Sequence, residues 1–204
     1  MEKKKNDFIA QGSILAIASI LVRVMGMIYR IPMTAIIGDK GNGFYSYAYS
    51  VYTILLLLSS YSLPLAVSKM VSAKAQLGQW RNVKRVFICA IAFAIGIGTT
   101  FGLIVLIGAQ FFTRVFFHSE LAAIALRFMA PTILIMALLG VFRGFFQGLQ
   151  NTLPTAVSQI VEGLINAIMS VVFAYFLFDF GHGMDVASGT TDLGYAWGAA
   201  GGAI

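Results

Sequence analysis

Charge is what this sequence has least of. Only 11% of its 204 residues are Asp, Glu, Lys or Arg, against about 25% in soluble domains. Hydrophobic residues make up 59%, and 21 glycines add to that. A compact soluble domain of this length has too little interior to hide so much apolar surface. The shortage of charge therefore excludes a soluble enzyme, a disordered chain and a nucleic-acid module, despite a net charge of +6. Cysteine is nearly absent too. The single Cys89 excludes an intrachain disulfide, and one Cys with two His does not build the usual zinc site. No nucleophile–base pair can be argued around His118 or His182. The Gly-rich stretch IGDKGNGFY lacks the Gly-Lys-Ser/Thr ending of a phosphate loop and is expected to form a tight external turn. No cofactor is implied.

What is present is a series of long apolar runs. Residues 41–68 and 86–113 are each 28 residues without a charge. At 1.5 Å per residue, such a run reaches about 42 Å, enough to cross a hydrocarbon core of about 30 Å. The charges between the runs predict an all-α, multi-pass helical bundle forming a single membrane domain over 1–204. Its expected spans are 9–37, 43–66, 85–112, 119–141, 154–178 and 193–204. The last is too short to cross and is read as a span that continues beyond Ile204. Pro32 is expected to kink the first span, and Pro64 to mark a bend at the end of the second. Glycines at spacing four (Gly98 and Gly102; Gly140, Gly144 and Gly148; Gly194, Gly198 and Gly202) predict close helix packing.

Loop charges orient the bundle. With the N-terminus in the cytoplasm, Lys3, Lys4, Lys5, Lys69, Lys74, Arg81, Lys84, Arg85 and Arg143 fall inside, and Lys40 and Arg114 outside. That bias is the one the positive-inside rule demands of a plasma-membrane protein. The segment 179–192, with Asp179, Asp185 and Asp192, is expected to be a mobile outer loop.

The informative charges lie inside the runs. Arg23 and Arg30 sit in the first span, seven residues apart and so on nearly one helix face. A charge at such depth costs several kcal/mol unless it pairs or reaches water. The first two spans contain no acid to neutralise them. One reading pairs them with backbone carbonyls or Glu162. The other puts them on the wall of a water-filled cationic cavity for an anionic substrate, since guanidinium forks bind phosphate bidentately. Glu162 is the one deep acid, read either as the partner of an arginine on a neighbouring helix or as a coupling group. Arg127 is expected to snorkel. Tyr45, Tyr47, Tyr49 and Tyr52 fit either an interfacial aromatic belt or a surface for stacking sugar rings.

Three stretches, VRVMGMIYRIPMTAIIGDKGNGFY, SLPLAVSKMVSA and GVFRGFFQGLQNTLPTAVSQIVE, resemble the polysaccharide-biosynthesis, SpoVB-like branch of the MOP exporter superfamily. That superfamily includes MurJ lipid II flippases and MATE drug exporters. The resemblance implies the N-terminal lobe of a MATE/MurJ-like two-lobe transporter, working with a C-terminal lobe that lies outside this chain. The implied partner is a polyprenyl-pyrophosphate-linked sugar or peptidoglycan precursor, moved from inner to outer leaflet among membrane lipids. No nucleic acid is implied. MurJ-type members carry R-x-x-G-x-x-R on the first helix. Here Arg23 matches and Arg30 falls one residue later, and the second-helix arginine of MurJ has no counterpart within 41–68. Arg23, Arg30 and Glu162 are thus the candidate substrate-binding residues. A MATE-like cation or drug exporter, which would carry acids in its cavity, and a non-transporting protein of envelope or spore assembly are the alternatives.

Overall fold

The computed structural model describes the backbone of residues 2–60 and 62–203, and the side chains of 12–58, 62–187 and 189–203. Lys3, Lys4 and Lys5 fall outside the described side chains. Among the described residues six helices follow one another: α1 (Glu2–Ser60), α2 (Leu63–Gln76), α3 (Trp80–Phe117), α4 (Ala122–Gly148), α5 (Leu153–Ser188) and α6 (Leu193–Gly202). All regular structure among the described residues is helical.

Two expected connections prove to be far shorter than the sequence suggested. The stretch IGDKGNGFY is no loop. Only Gly38 leaves helical geometry (φ 63°, ψ −175°), and the helix resumes at once. Glycine tolerates this left-handed φ at little cost. At this residue the chain doubles back, so that Arg23 and Ser50 line one cavity and Tyr29 and Tyr45 pack on the same Met33–Ile37 core. Pro32 is not the break: the helix runs through it. The expected mobile loop 179–192 is also mostly helix, because α5 continues to Ser188. Asp185 explains the tight turn that follows. Its carboxylate accepts from the backbone N–H of Leu193 (3.0 Å) and Gly194 (2.8 Å) and from Thr190 Oγ1 (2.6 Å). It thus satisfies the orphan donors at the start of α6. Lys40 Nζ then ties the Gly38 turn to Asp192 at 2.9 Å.

Six spans were expected, and the described residues hold four helical stretches long and apolar enough to cross: Gly12–Gln76, Trp80–Phe117, Ala122–Gly148 and Leu153–Ala187. The first has 65 residues, about 97 Å if straight. It contains both of the first two expected spans, folded on each other at Gly38. The described part of α6 has 10 residues, about 15 Å, half the thickness of a hydrocarbon core.

The helices approach through small residues, as is usual where lipid removes the hydrophobic drive between helices. The core is rich in alanine: Ala48, Ala109, Ala125, Ala130, Ala199 and Ala200 meet around Leu126, Met129 and Ile133. A side chain on Gly144 would meet the carbonyl oxygen of Pro64 at 2.5 Å, and one on Gly201 would meet that of Phe173 at 2.3 Å. Large apolar side chains point outward instead: Ile107 is 80% exposed and Ile31 72%. Together with the four apolar stretches, this makes the chain a multi-pass membrane protein.

Register follows from these contacts. The 12–37 arm of α1 runs parallel to α5, with Val22 at Gly163 and Met33 and Ile37 at Ala174. The 39–60 arm runs parallel to α4, with Ala48 and Val51 among Leu126 and Met129. α2 continues that direction with Pro64 at Gly144 and Ser68 at Gly148. Concavities open between these two pairs.

Candidate functional site

Arg23 stands on the 12–37 arm, facing α5. Beside it, Gly163 packs on Val22, where an added Cβ would lie 3.1 Å from a Val22 methyl. This close fit sets Glu162 and Asn166 at the height of Arg23. A cavity of about 400 Å³ lies there, lined by Ser19, Arg23 and Tyr29 of α1, by Arg143 of α4, and by Glu162 and Asn166 of α5. A second cavity of about 560 Å³ lies between the two arms of α1. Arg23 and Arg30 line it from one arm, and Tyr45, Ser46, Tyr49 and Ser50 from the other. Arg23 belongs to both. The structure therefore brings Arg23 together with Glu162 in one cavity and with Arg30 in the next.

Glu162 pairs with Arg143. Arg143 NH2 donates to Glu162 Oε2, and Arg143 Nε donates to Ser158 Oγ at 3.1 Å. Ser158 Oγ in turn donates to the carbonyl of Thr155 at 2.8 Å. Arg143 corrects the sequence reading, which placed it in a cytoplasmic loop. It lies inside α4, with its side chain 16% exposed. The signal was available: Arg143 is flanked by Val141 and Phe142 before it and by Phe145 and Phe146 after, within the glycine ladder. Glu162 is thus the partner of an arginine on a neighbouring helix, but that arginine is neither Arg23 nor Arg30 among the described ion pairs.

The electrostatic result is three guanidiniums, from Arg23, Arg30 and Arg143, against one carboxylate. Arg23 and Arg30 are both exposed to the cavities. Such a wall attracts anions, and the low dielectric around it strengthens that attraction. Arg127 is exposed on α4 and lines none of these cavities. Asp179, His182 and Asp185 do not gather into a site: Asp185 caps α6, and the His182 ring stacks on Phe178 at 6.3 Å. Among the described residues no group of three His, Cys, Asp or Glu side chains is placed to hold a metal ion.

The sequence left Tyr45, Tyr47, Tyr49 and Tyr52 open between an interfacial belt and a surface for stacking sugar rings, and it did not group Tyr29 with them. Tyr29, Tyr45, Tyr49 and Tyr52 turn inward and line a third cavity of about 760 Å³ with Glu162 and Asn166. Tyr47 points elsewhere and stacks on Phe117 at 4.7 Å.

The chain is thus a helical membrane bundle whose cavities are lined by guanidinium and tyrosine side chains. Residues 8–184 match the family model described as "Polysaccharide biosynthesis protein", and the chain belongs to that family. It is similar to three proteins of Bacillus subtilis (strain 168), each 26% identical. These are the lipid II flippase MurJ (200 residues, 94% of this chain and 37% of the relative), stage V sporulation protein B (174 residues, 85% and 34%) and the uncharacterized membrane protein YabM (174 residues, 85% and 32%). The chain thus spans about a third of the length of these relatives. No solved structure shows significant similarity to it. These relationships link the chain to membrane transport and flippase proteins, which are not enzymes.

Proposed function

We propose that this chain forms the N-terminal lobe of a flippase that turns an anionic, polyprenyl-pyrophosphate-linked sugar from the inner to the outer leaflet of the plasma membrane. The observation that carries this reading is the excess of guanidinium groups over carboxylates in the α1–α4–α5 cavities. Arg23 and Arg30 bind the pyrophosphate. Glu162 holds Arg143 in place, and the pair completes the wall at the Arg23 level. The lipid tail stays in the bilayer while the headgroup crosses, and a second lobe supplies the opposite wall in alternating access. The N-terminus is cytoplasmic, which puts Lys69, Lys74, Arg81, Lys84 and Arg85 on the inner side. The length of the relatives and the printed function of the flippase among them support this assignment. A cation exporter of MATE type is less well supported, because the one deep carboxylate is already neutralised by Arg143.

The test is Arg23→Ala in the complete protein, reconstituted in proteoliposomes with a fluorescent polyprenyl-pyrophosphate sugar. Losing a charge-assisted, bidentate contact of about 1.5–3 kcal/mol slows flipping by about 10- to 100-fold, with the protein still in the membrane. Flipping at the wild-type rate overturns the reading. Arg30→Ala is expected to impair flipping as well.

A further inference from the structure

We propose that Tyr45, Tyr49 and Tyr52 form a subsite for an uncharged pyranose ring, joined to the cationic cavity through a shared wall. The proposal rests on the reading of that cavity as a site for a lipid-linked sugar, and it assigns the part of the ligand that the arginines do not reach.

The spacing i, i+4, i+7 puts these three side chains on one face of the 39–60 arm. Their rings form a ladder. Tyr45 and Tyr49 lie 5.7 Å apart at 13°, and Tyr49 and Tyr52 lie 6.2 Å apart at 39°. The ladder lines the cavity of about 760 Å³ between the 39–60 arm, α4 and α5. Tyrosines of an interfacial belt would face lipid at the ends of the span. Here Tyr45 and Tyr52 are half-buried and turn into the bundle.

Chemistry limits what this cavity accepts. Beyond the tyrosines its lining is mostly Leu, Ile, Val and Met side chains, with Thr132, Ser158, Glu162 and Asn166 as polar groups; the Thr132 and Ser158 hydroxyls already donate to the carbonyls of Met129 and Thr155 and remain as acceptors. Glu162 is the only charged residue in the lining, and its charge is met by Arg143. The cavity therefore suits an uncharged group that lays an apolar face on the rings and offers a few hydroxyls to the polar atoms. A pyranose has these properties: its C–H face meets the negative face of an aromatic ring, and its hydroxyls take the polar groups. Tyr45 and Tyr49 also line the Arg23–Arg30 cavity. A ligand with a pyrophosphate at one end and a sugar next to it spans the two cavities across these rings.

The experiment measures binding to the complete protein in nanodiscs with two probes, polyprenyl pyrophosphate carrying a disaccharide and the same lipid without sugar. Tyr52 lines the aromatic cavity but not the cationic ones. Tyr52→Leu is expected to weaken the glycosylated probe by about tenfold, the worth of one good ring contact, and to leave the sugar-free probe unchanged. Tyr52→Phe, which keeps the ring face, is expected to stay within about twofold of wild type for both probes. Retained affinity for the sugar-free lipid shows that the leucine variant folds. Unchanged affinity of Tyr52→Leu for the glycosylated probe overturns the subsite, and so does an equal loss for both probes. The latter outcome assigns the cavity to the lipid tail. A wild-type protein that binds neither probe overturns the reading on which the subsite rests.

Discussion

The Arg143 side chain is 16% exposed and that of Glu162 is 40%, so the two halves of this ion pair do not suffer equally when the other is lost. Removing the carboxylate leaves a largely buried guanidinium with Ser158 as its remaining side-chain partner among the described residues. Removing the guanidinium leaves a carboxylate that already reaches the cavity. Breaking a fully buried pair costs about 3–5 kcal/mol, and partial exposure reduces this. Glu162→Gln is therefore expected to destabilise the protein by about 2 kcal/mol, and Arg143→Gln by clearly less. Thermal unfolding in detergent reads this order, and the double variant should recover most of the loss. An equal loss for both single variants would contradict the asymmetry. Arg23, Arg30 and Glu162 were legible in the sequence as charges inside apolar runs. Arg143 was misread despite its apolar flanks, because a cation near the end of a run resembles a loop residue, and its partner Glu162 is known only once its neighbours in space are. The direction of the tyrosines was hidden for a related reason. Helical spacing puts Tyr45, Tyr49 and Tyr52 on one face but does not say whether that face meets lipid or protein.

At the scale of elements, the glycine ladders decide how near the helices come. Gly144 lies against the backbone of Pro64, at the start of α2, where an added Cβ has no room. Gly96, on α3, has nothing within 4 Å of that position. Gly144→Ala is thus expected to push α2 from α4 and to cost about 1–3 kcal/mol by overpacking. Gly96→Ala is expected to be neutral or to gain up to about 1 kcal/mol from helix propensity. Comparing the two melting temperatures checks this; a similar shift for both would show that close approach is not what Gly144 provides. Helix lengths were less legible than helix existence. Residues 179–188 look like a loop in sequence because they carry Asp179, His182 and Asp185, yet they extend α5. Asp185 turns a feature that suggests solvent into a buried cap, 5% exposed, for the next helix. Likewise the three glycines of IGDKGNGFY suggest a turn of several residues, and one of them suffices.

For the whole molecule, the bundle has two chemically different ends. One carries the α2–α3 turn at Gly78 and the cations Lys69, Lys74, Arg81, Lys84 and Arg85. The other carries the Gly38 reversal, His118 and the Gly189–Asp192 turn, where Lys40 meets Asp192. With Cys89 replaced by Ala, a cysteine at Gly78 is expected to react with an impermeant thiol reagent only from the cytoplasmic side, and one at Ser119 only from outside. The reverse pattern would invert the proposed orientation and with it the direction of entry to the cavity.

The sequence alone determined that this is a helical membrane protein and that Arg23 and Arg30 need a reason to be where they are. Both conclusions rest on costs local to a residue or a run: the transfer of apolar surface, and the price of a charge in hydrocarbon. Only the tertiary structure decided which charges meet, where the first helix turns back and which way the tyrosines face. These depend on register between segments far apart in the chain, such as Arg143 against Glu162 and Val22 against Gly163. Residue-level costs cannot specify that register, because it is set by small side chains and single glycines whose role appears only when another helix lies against them.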